Sequence, residues 1–185
     1  MNHLIRTLTF LTIVAVAVPA AAGSWPHERD GFVIGFNIGG GSATAKPDVG
    51  QEASGGGGAG AFRLGWGFSN QFMVGYEGTA WVGNTDLDAE LTLNSNKLNF
   101  TWYPAAMGWF LRAGFGWGSA ELKGGLFGQT VTISNSGSAF GLGGGHEWRL
   151  TRTFALGAAV DFNNVGLDDG KFDFVNFTAQ LNWYF

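Results

Sequence analysis

Eleven residues of unbroken alternation close the chain. Val175, Phe177, Ala179, Leu181, Trp183 and Phe185 share one face of an extended segment, and Asn176, Thr178, Gln180, Asn182 and Tyr184 share the other. A helix would scatter these residues around its circumference; a strand, whose side chains point alternately to opposite faces, keeps the two sets apart. The template recurs along the chain. It fits Phe32, Ile34, Phe36, Ile38; Phe62, Leu64, Trp66, Phe68; Phe72, Val74, Tyr76; and Leu98, Phe100, Trp102. It fits again at Trp109, Leu111, Ala113, Phe115, Trp117; at Phe140, Leu142 and Trp148; and at Phe154, Leu156, Ala158, Val160, Phe162, so that eight strands are expected.

The first 22 residues read differently. Arg6, the apolar stretch Leu8 to Val18 and Pro19-Ala20-Ala21-Ala22 have the order of a secretory signal peptide, with small residues at 20 and 22. Cleavage after Ala22 removes only Arg6 among the charged residues and moves the net charge from −4 to −5. Residues 23–30 are then expected to be a periplasmic N-terminal segment, and 31–185 one barrel domain.

Composition removes other classes. With no cysteine, disulfide scaffolds, thiolate metal sites and an acylated lipoprotein anchor are out. Ten Lys plus Arg against fourteen Asp plus Glu, with the bases scattered singly, leave no footprint for nucleic acid. No apolar run after residue 22 approaches the roughly 20 residues of a membrane helix.

Turn lengths test the strands against one another, because a slip of one residue would move every apolar side chain to the wrong face. A turn centred on Asn70 aligns Phe68 with Phe72, Trp66 with Val74, Leu64 with Tyr76 and Arg63 with Glu77. One centred between Ala105 and Ala106 pairs Trp102 with Trp109, Phe100 with Leu111 and Leu98 with Ala113. A third, centred on Thr151, pairs Trp148 with Phe154, Leu142 with Val160 and Phe140 with Phe162. Connections alternate between short ones (69–71, 104–106, 150–152) and long polar ones, expected as loops over Ser42–Gly57, Gly83–Glu90, Leu122–Ile133 and Asn163–Asp173. Short turns at one end and long loops at the other describe a transmembrane β-barrel with both termini in the periplasm.

Which face points inward follows from volume. An eight-stranded barrel has an interior only just wide enough for side chains, and Phe, Trp, Leu and Ile from every strand would overfill it. With the apolar face toward lipid, the lumen receives glycines such as Gly35, Gly65, Gly75, Gly114 and Gly141, together with Asn99, Thr178 and Gln180. The 32 glycines of the chain, about 17% against a usual level of about 7%, then make room for the few large inward groups. Trp66, Phe68, Phe72, Trp102, Trp109, Trp148, Phe154, Trp183 and Phe185 lie outward near the short turns, as an aromatic girdle at a lipid–water boundary.

In these features the chain resembles the small outer-membrane β-barrels of Gram-negative bacteria, the group of the OmpA membrane domain, OmpX and the opacity-type proteins. The resemblance covers Gly31 to Phe185. Its most specific part is the end, where Phe177, Leu181, Trp183 and Phe185 look like the terminal aromatic signal read by the barrel-assembly machinery; Gly143 to Phe154 is also similar to a penultimate periplasmic hairpin. The resemblance implies a bacterial outer-membrane location, contact with lipid and lipopolysaccharide, a monomer, no cofactor, and loops able to take an extracellular ligand. Full-length OmpA carries a peptidoglycan-binding domain after its barrel; none follows here, so wall tethering is not expected.

Arg63, Glu77, Arg112 and Glu147 take inward parity and are expected to form an ion-pair network that fixes and occludes the lumen, with gating of a narrow pathway as the alternative. His146 is the one histidine inside the expected barrel. No serine stands beside it, and residue 148 is Trp where a barrel deacylase has Ser, so a lipid-modifying enzyme is not expected. Asp86, Asp88, Glu90, Asp168, Asp169 and Asp173 read as solvated surface acids, not a metal site. The glycine run 55–58 lacks the Lys-Ser or Lys-Thr of a phosphate cradle and reads as a mobile loop. The expected role is structural or surface-interacting through the loops, with a narrow porin-like channel as the alternative.

Overall fold

The computed structural model describes residues 26, 28–84, 90–126, 129–168 and 170–185. Eight strands, β1 (Gly31–Pro47), β2 (Ala53–Gly67), β3 (Phe72–Asn84), β4 (Glu90–Trp102), β5 (Trp109–Leu126), β6 (Gln129–Arg149), β7 (Phe154–Leu167) and β8 (Gly170–Tyr184), pair antiparallel in sequence order. β8 returns to β1, so the sheet closes into a barrel. The proposed signal peptide, His27, Asp86, Asp88 and Asp169 lie outside the described residues.

The two faces divide as the alternation requires. Phe36, Ile38, Leu98, Phe115 and Phe177 are exposed on the outside, whereas Val33, Arg63, Glu77, Gln180 and Asn182 are buried within. A barrel with an apolar exterior and ion pairs inside is stable in lipid, where closure leaves no backbone edge unpaired.

Two expectations need correction. Three of the four long polar segments are mostly strand: β1 and β2 pair out to Ala45 and Ala53, β5 and β6 out to Leu126 and Gln129, and β7 and β8 out to Leu167 and Gly170, while the glycine run 55–58 sits in β2 opposite 40–43. Glu90 and Asp173 likewise lie in β4 and β8. Polarity at these positions reports the absence of lipid, not of a partner; the ladder needs only backbone, and a closed sheet offers a neighbour on both sides. At 13 to 21 residues the strands exceed the 9–11 needed to cross the hydrocarbon, so the wall rises above the membrane.

The second correction concerns register. β2 and β3 pair as expected, with Arg63 opposite Glu77, but the other two hairpins are displaced by two residues. Trp102 pairs with Leu111, not Trp109, and Trp148 with Leu156, not Phe154. After Trp102, Pro104 opens a 3₁₀ turn over 104–106, and the flanking Tyr103 N–H and Gly108 carbonyl bond to Gln71 and Glu147 of adjacent segments. The hairpin therefore closes two residues later. In the β6–β7 turn, Thr151 Oγ1 accepts from the N–H groups of Thr153 and Phe154, and Leu150 N–H donates to the Phe154 carbonyl, the side-chain-supported turn typical of threonine. A displacement of two leaves every face unchanged.

Candidate functional site: a sealed lumen

The lumen is filled in layers, built by inward residues at successive heights on the wall. At the short-turn end Arg29, just before β1, turns its side chain into the barrel and is fully buried. Its Nη2 donates to Glu147 Oε1 at 2.7 Å and to the Met107 carbonyl at 2.8 Å, Nη1 donates to the Asn70 carbonyl at 3.0 Å, and the guanidinium lies 3.6 Å from the Tyr103 ring centre. Glu147 Oε2 accepts from Tyr184 Oη at 2.6 Å, and Arg149 stacks on Tyr184 at 3.6 Å. Gly67 admits the segment: a Cβ there would stand 1.6 Å from the Arg29 carbonyl oxygen.

Around these charges Val33, Met73, Tyr103, Phe110, Ala155, Ala159 and Tyr184 form an apolar cluster. The next layer is ionic. Glu77 Oε2 lies 3.3 Å from both Arg63 Nε and Arg112 Nη1, and its Oε1 lies 3.6 Å from Lys97 Nζ. Arg112 also grips Asp161 with two nitrogens, Nη2 at 2.6 and 2.8 Å and Nε at 3.1 Å, the bidentate geometry that gives guanidinium–carboxylate pairs their strength. Lys97 Nζ donates to Ser95 Oγ at 2.8 Å and to Asn163. Toward the far end, Trp81, Leu93, Val165 and Phe174, each at most 1% exposed, close the lumen with Ala43, Ala59, Ala120 and Ala139.

Of the four residues read as one network, the structure brings Arg63, Glu77 and Arg112 together. It places Glu147 in a separate cluster: Arg112 pairs in register with Gly143, and Glu147 stands four positions nearer the turn, about 13 Å along the strand. Lys97 and Asp161 were open to the parity argument, being inward on β4 and β7. Arg29 was not, because it precedes any periodic segment. The apolar plug was also legible in principle, since Trp81, Leu93, Val165 and Phe174 carry inward parity.

On the outside, Trp66, Phe68, Phe72, Trp102 and Trp109 are exposed near the short turns, with Trp148, Phe154 and Trp183 half-buried among them. Ring contacts join Phe154 to Trp183 at 4.9 Å and Phe72 to Phe100 at 5.6 Å. His146 is packed between the rings of Trp109 and Trp148, at 4.8 and 4.7 Å. Phe177 and Phe185 are exposed and Leu181 and Trp183 half-buried on the outer face of β8.

Comparison with solved structures returns small outer-membrane barrels. Ail, the attachment invasion locus protein of Yersinia pestis, aligns at a TM-score of 0.61 with 19% identity, covering 83% of this chain and 99% of its own. A second Ail structure, in complex with the heparin analogue sucrose octasulfate, gives 0.58 and 20%, again over 83% and 99%. Neisserial surface protein A gives 0.62 with 16% identity over 84% and 98%. At such identities the likeness is one of fold. Comparison with curated proteins gave no sequence match. The family model described as "Outer membrane protein beta-barrel domain" matches residues 8–185. With its closed eight-stranded wall, lipid-facing exterior and matching family model, the chain belongs to the outer membrane protein beta-barrel domain family and resides in the bacterial outer membrane.

Proposed function

We propose that the protein is a monomeric, non-conducting and non-enzymatic scaffold that holds its strand ends above the lipopolysaccharide surface to meet an extracellular ligand. One observation carries this reading: the lumen is blocked at three heights, by Arg29 with Glu147, by the Glu77 cluster and by the Trp81–Phe174 plug. A pore needs a continuous polar path, and an apolar constriction excludes ions by dewetting. What remains for function is the projecting wall. Lys46, Lys123 and Lys171 lie toward that end, two of them beside acids, Lys46 2.8 Å from Asp173 and Lys123 2.8 Å from Glu121. The sucrose octasulfate complex of Ail makes a polyanion a reasonable first ligand to test. The residues Phe177, Leu181, Trp183 and Phe185 serve, in this reading, as the signal to the assembly machinery.

Planar-bilayer recording of the refolded chain tests the proposal. A barrel whose folding is verified by different migration of boiled and unboiled samples should be silent; discrete openings would overturn the scaffold reading. The alternative, a narrow channel for water or small solutes, has one observation in its favour. Buried polar atoms of Asn99, Gln180, Thr178, Asn176 and Asn182 lack a hydrogen-bond partner, and such groups ordinarily hold water. For a channel, Arg63→Ala and Glu77→Ala should change the conductance.

A further inference from the structure

The ionic layer of the lumen does not balance. Arg63, Lys97 and Arg112 bring three positive charges to it, and Glu77 and Asp161 bring two negative ones. The cations are placed to stay charged. A guanidinium keeps its proton in a protein, and Lys97 Nζ is ringed by oxygens of Ser95, Asn163 and Glu77, one for each of the three donors an ammonium carries. Protonating either acid would enlarge the surplus. Among the described residues no other inward group offsets it. The cluster beneath sets Arg29 and Arg149 against Glu147 and is itself cationic, and the Trp81–Phe174 plug above is apolar. With the side chains of Arg63, Lys97, Arg112 and Glu77 only 2–4% exposed, counter-ions in bulk water are too far away to compensate, and an unpaired buried charge is strongly unfavourable.

A second observation falls in the same layer: hydrogen-bond donors without acceptors. Arg112 Nη1, Asn99 Nδ2 and Gln180 Nε2 are buried and lack a partner, Arg112 Nη1 approaching Glu77 to 3.3 Å without forming a hydrogen bond. Asn99 lies across Gly114, the next inward residue after Arg112 on β5. Gln180 is the register partner of Asn37, whose Oδ1 accepts from Arg63 Nη2. The three donors thus reach the charged layer from β4, β5 and β8. Water would satisfy them and leave the charge as it is; a small anion answers both.

We propose that the ionic layer encloses one monovalent anion of halide size, chloride in ordinary media, held by Arg112 Nη1, Asn99 Nδ2 and Gln180 Nε2 and acting as the third negative charge of the network. It is taken up as the barrel shuts and serves as a structural counter-ion, not as cargo. The site shares the closed lumen with the scaffold reading, but bilayer recording tests closure and the measurements below test occupancy, so either can fail alone.

The refolded barrel is crystallised from sodium bromide and data are collected at the bromine absorption edge. One anomalous peak is expected inside the lumen, in contact with Arg112 and Gln180. In solution, chloride is replaced at constant ionic strength by gluconate, an anion too large to be enclosed. The urea midpoint in vesicles should rise with chloride by about 0.7 M per tenfold beyond saturation, because a tenfold change is about 1.4 kcal/mol against a slope of about 2 kcal/mol per molar. Lys97→Met leaves two cations against two carboxylates and should abolish both the peak and the chloride dependence. Gln180→Met keeps the charge count and the side-chain size but deletes a donor, and should weaken the apparent chloride affinity about tenfold. A lumen without an anomalous peak, or equal midpoints in chloride and gluconate, would overturn the site. So would a midpoint that follows pH and not halide, which would assign the balance to a lysine that folds neutral. Unchanged chloride dependence in a folded Lys97→Met barrel would overturn the charge argument behind it.

Discussion

Glu77 is the group on which the ionic layer depends, and its replacement gives the sharpest test of what holds the barrel interior together. Its carboxylate, 4% exposed, is shared among Arg63, Arg112 and Lys97 at 3.3, 3.3 and 3.6 Å. In Glu77→Gln the side chain keeps its size and loses its charge, leaving three buried cations facing one remaining carboxylate, Asp161. Removing one partner of a buried ion pair costs about 3–5 kcal/mol, because the other charge stays buried without compensation. With a urea dependence of about 2 kcal/mol per molar, the unfolding midpoint in lipid vesicles should fall by about 1.5–2.5 M. Adding Lys97→Met removes one surplus cation, and the double variant should recover a substantial part of that loss, since buried pairs are often replaced by apolar groups at little cost. Tryptophan fluorescence against urea, checked by the migration shift of unboiled samples, reads both. A midpoint shift below about 0.5 M for Glu77→Gln, or a double variant less stable than the single one, would refute the argument that charge imbalance governs this layer.

Three further outcomes follow from other parts of the molecule. Gly67→Ala places a methyl group 1.6 Å from the Arg29 carbonyl oxygen and should lift the N-terminal segment out of the barrel mouth; a loss of about 1–3 kcal/mol is expected, together with faster proteolysis at residues 28–30. Leu98→Lys, on the lipid face at 57% exposure, should cost about 2–4 kcal/mol in urea unfolding, whereas Asn94→Lys four residues toward the polar rim should cost about 1 kcal/mol or less; equal costs would contradict the placement of the membrane. Trp183→Ala with Phe185→Ala should slow insertion into membranes containing the assembly machinery more than insertion into protein-free vesicles, measured as the rate at which the heat-modifiable band appears.

Much of this architecture was legible because alternation, side-chain volume and inward charge all point the same way. Parity alone puts Arg63 and Glu77 inside and Trp66 and Trp109 outside. It is blind to displacements of two, which is why Trp102 could be matched to the wrong partner: the backbone bonds of Tyr103 and Gly108 to neighbouring segments are tertiary facts. Parity also gives no height, so Glu147 could be grouped with Glu77 although four positions along β6 separate its level from that of Arg112. The polar stretches misled for a different reason. In a soluble protein, Gly, Ser and Asn in series mark chain leaving a sheet, but around a closed cylinder the same residues continue the sheet beyond the lipid. Arg29 had no periodic neighbours to reveal its direction.

The seam between β1 and β8 joins residues 33–47 to residues 170–184, the two ends of the barrel. Its fifteen register pairs cannot begin to form until the last strand has emerged, so the cylinder stays open throughout synthesis and export. During that interval two long, apolar, unpaired edges are available to any other chain, and bringing them together carries the closure entropy of the whole intervening sequence. Transit across the periplasm is therefore the hazardous stage in the life of this protein: abundance in the membrane should be limited by escorts that shield the open sheet, far more than by the stability of the barrel once shut.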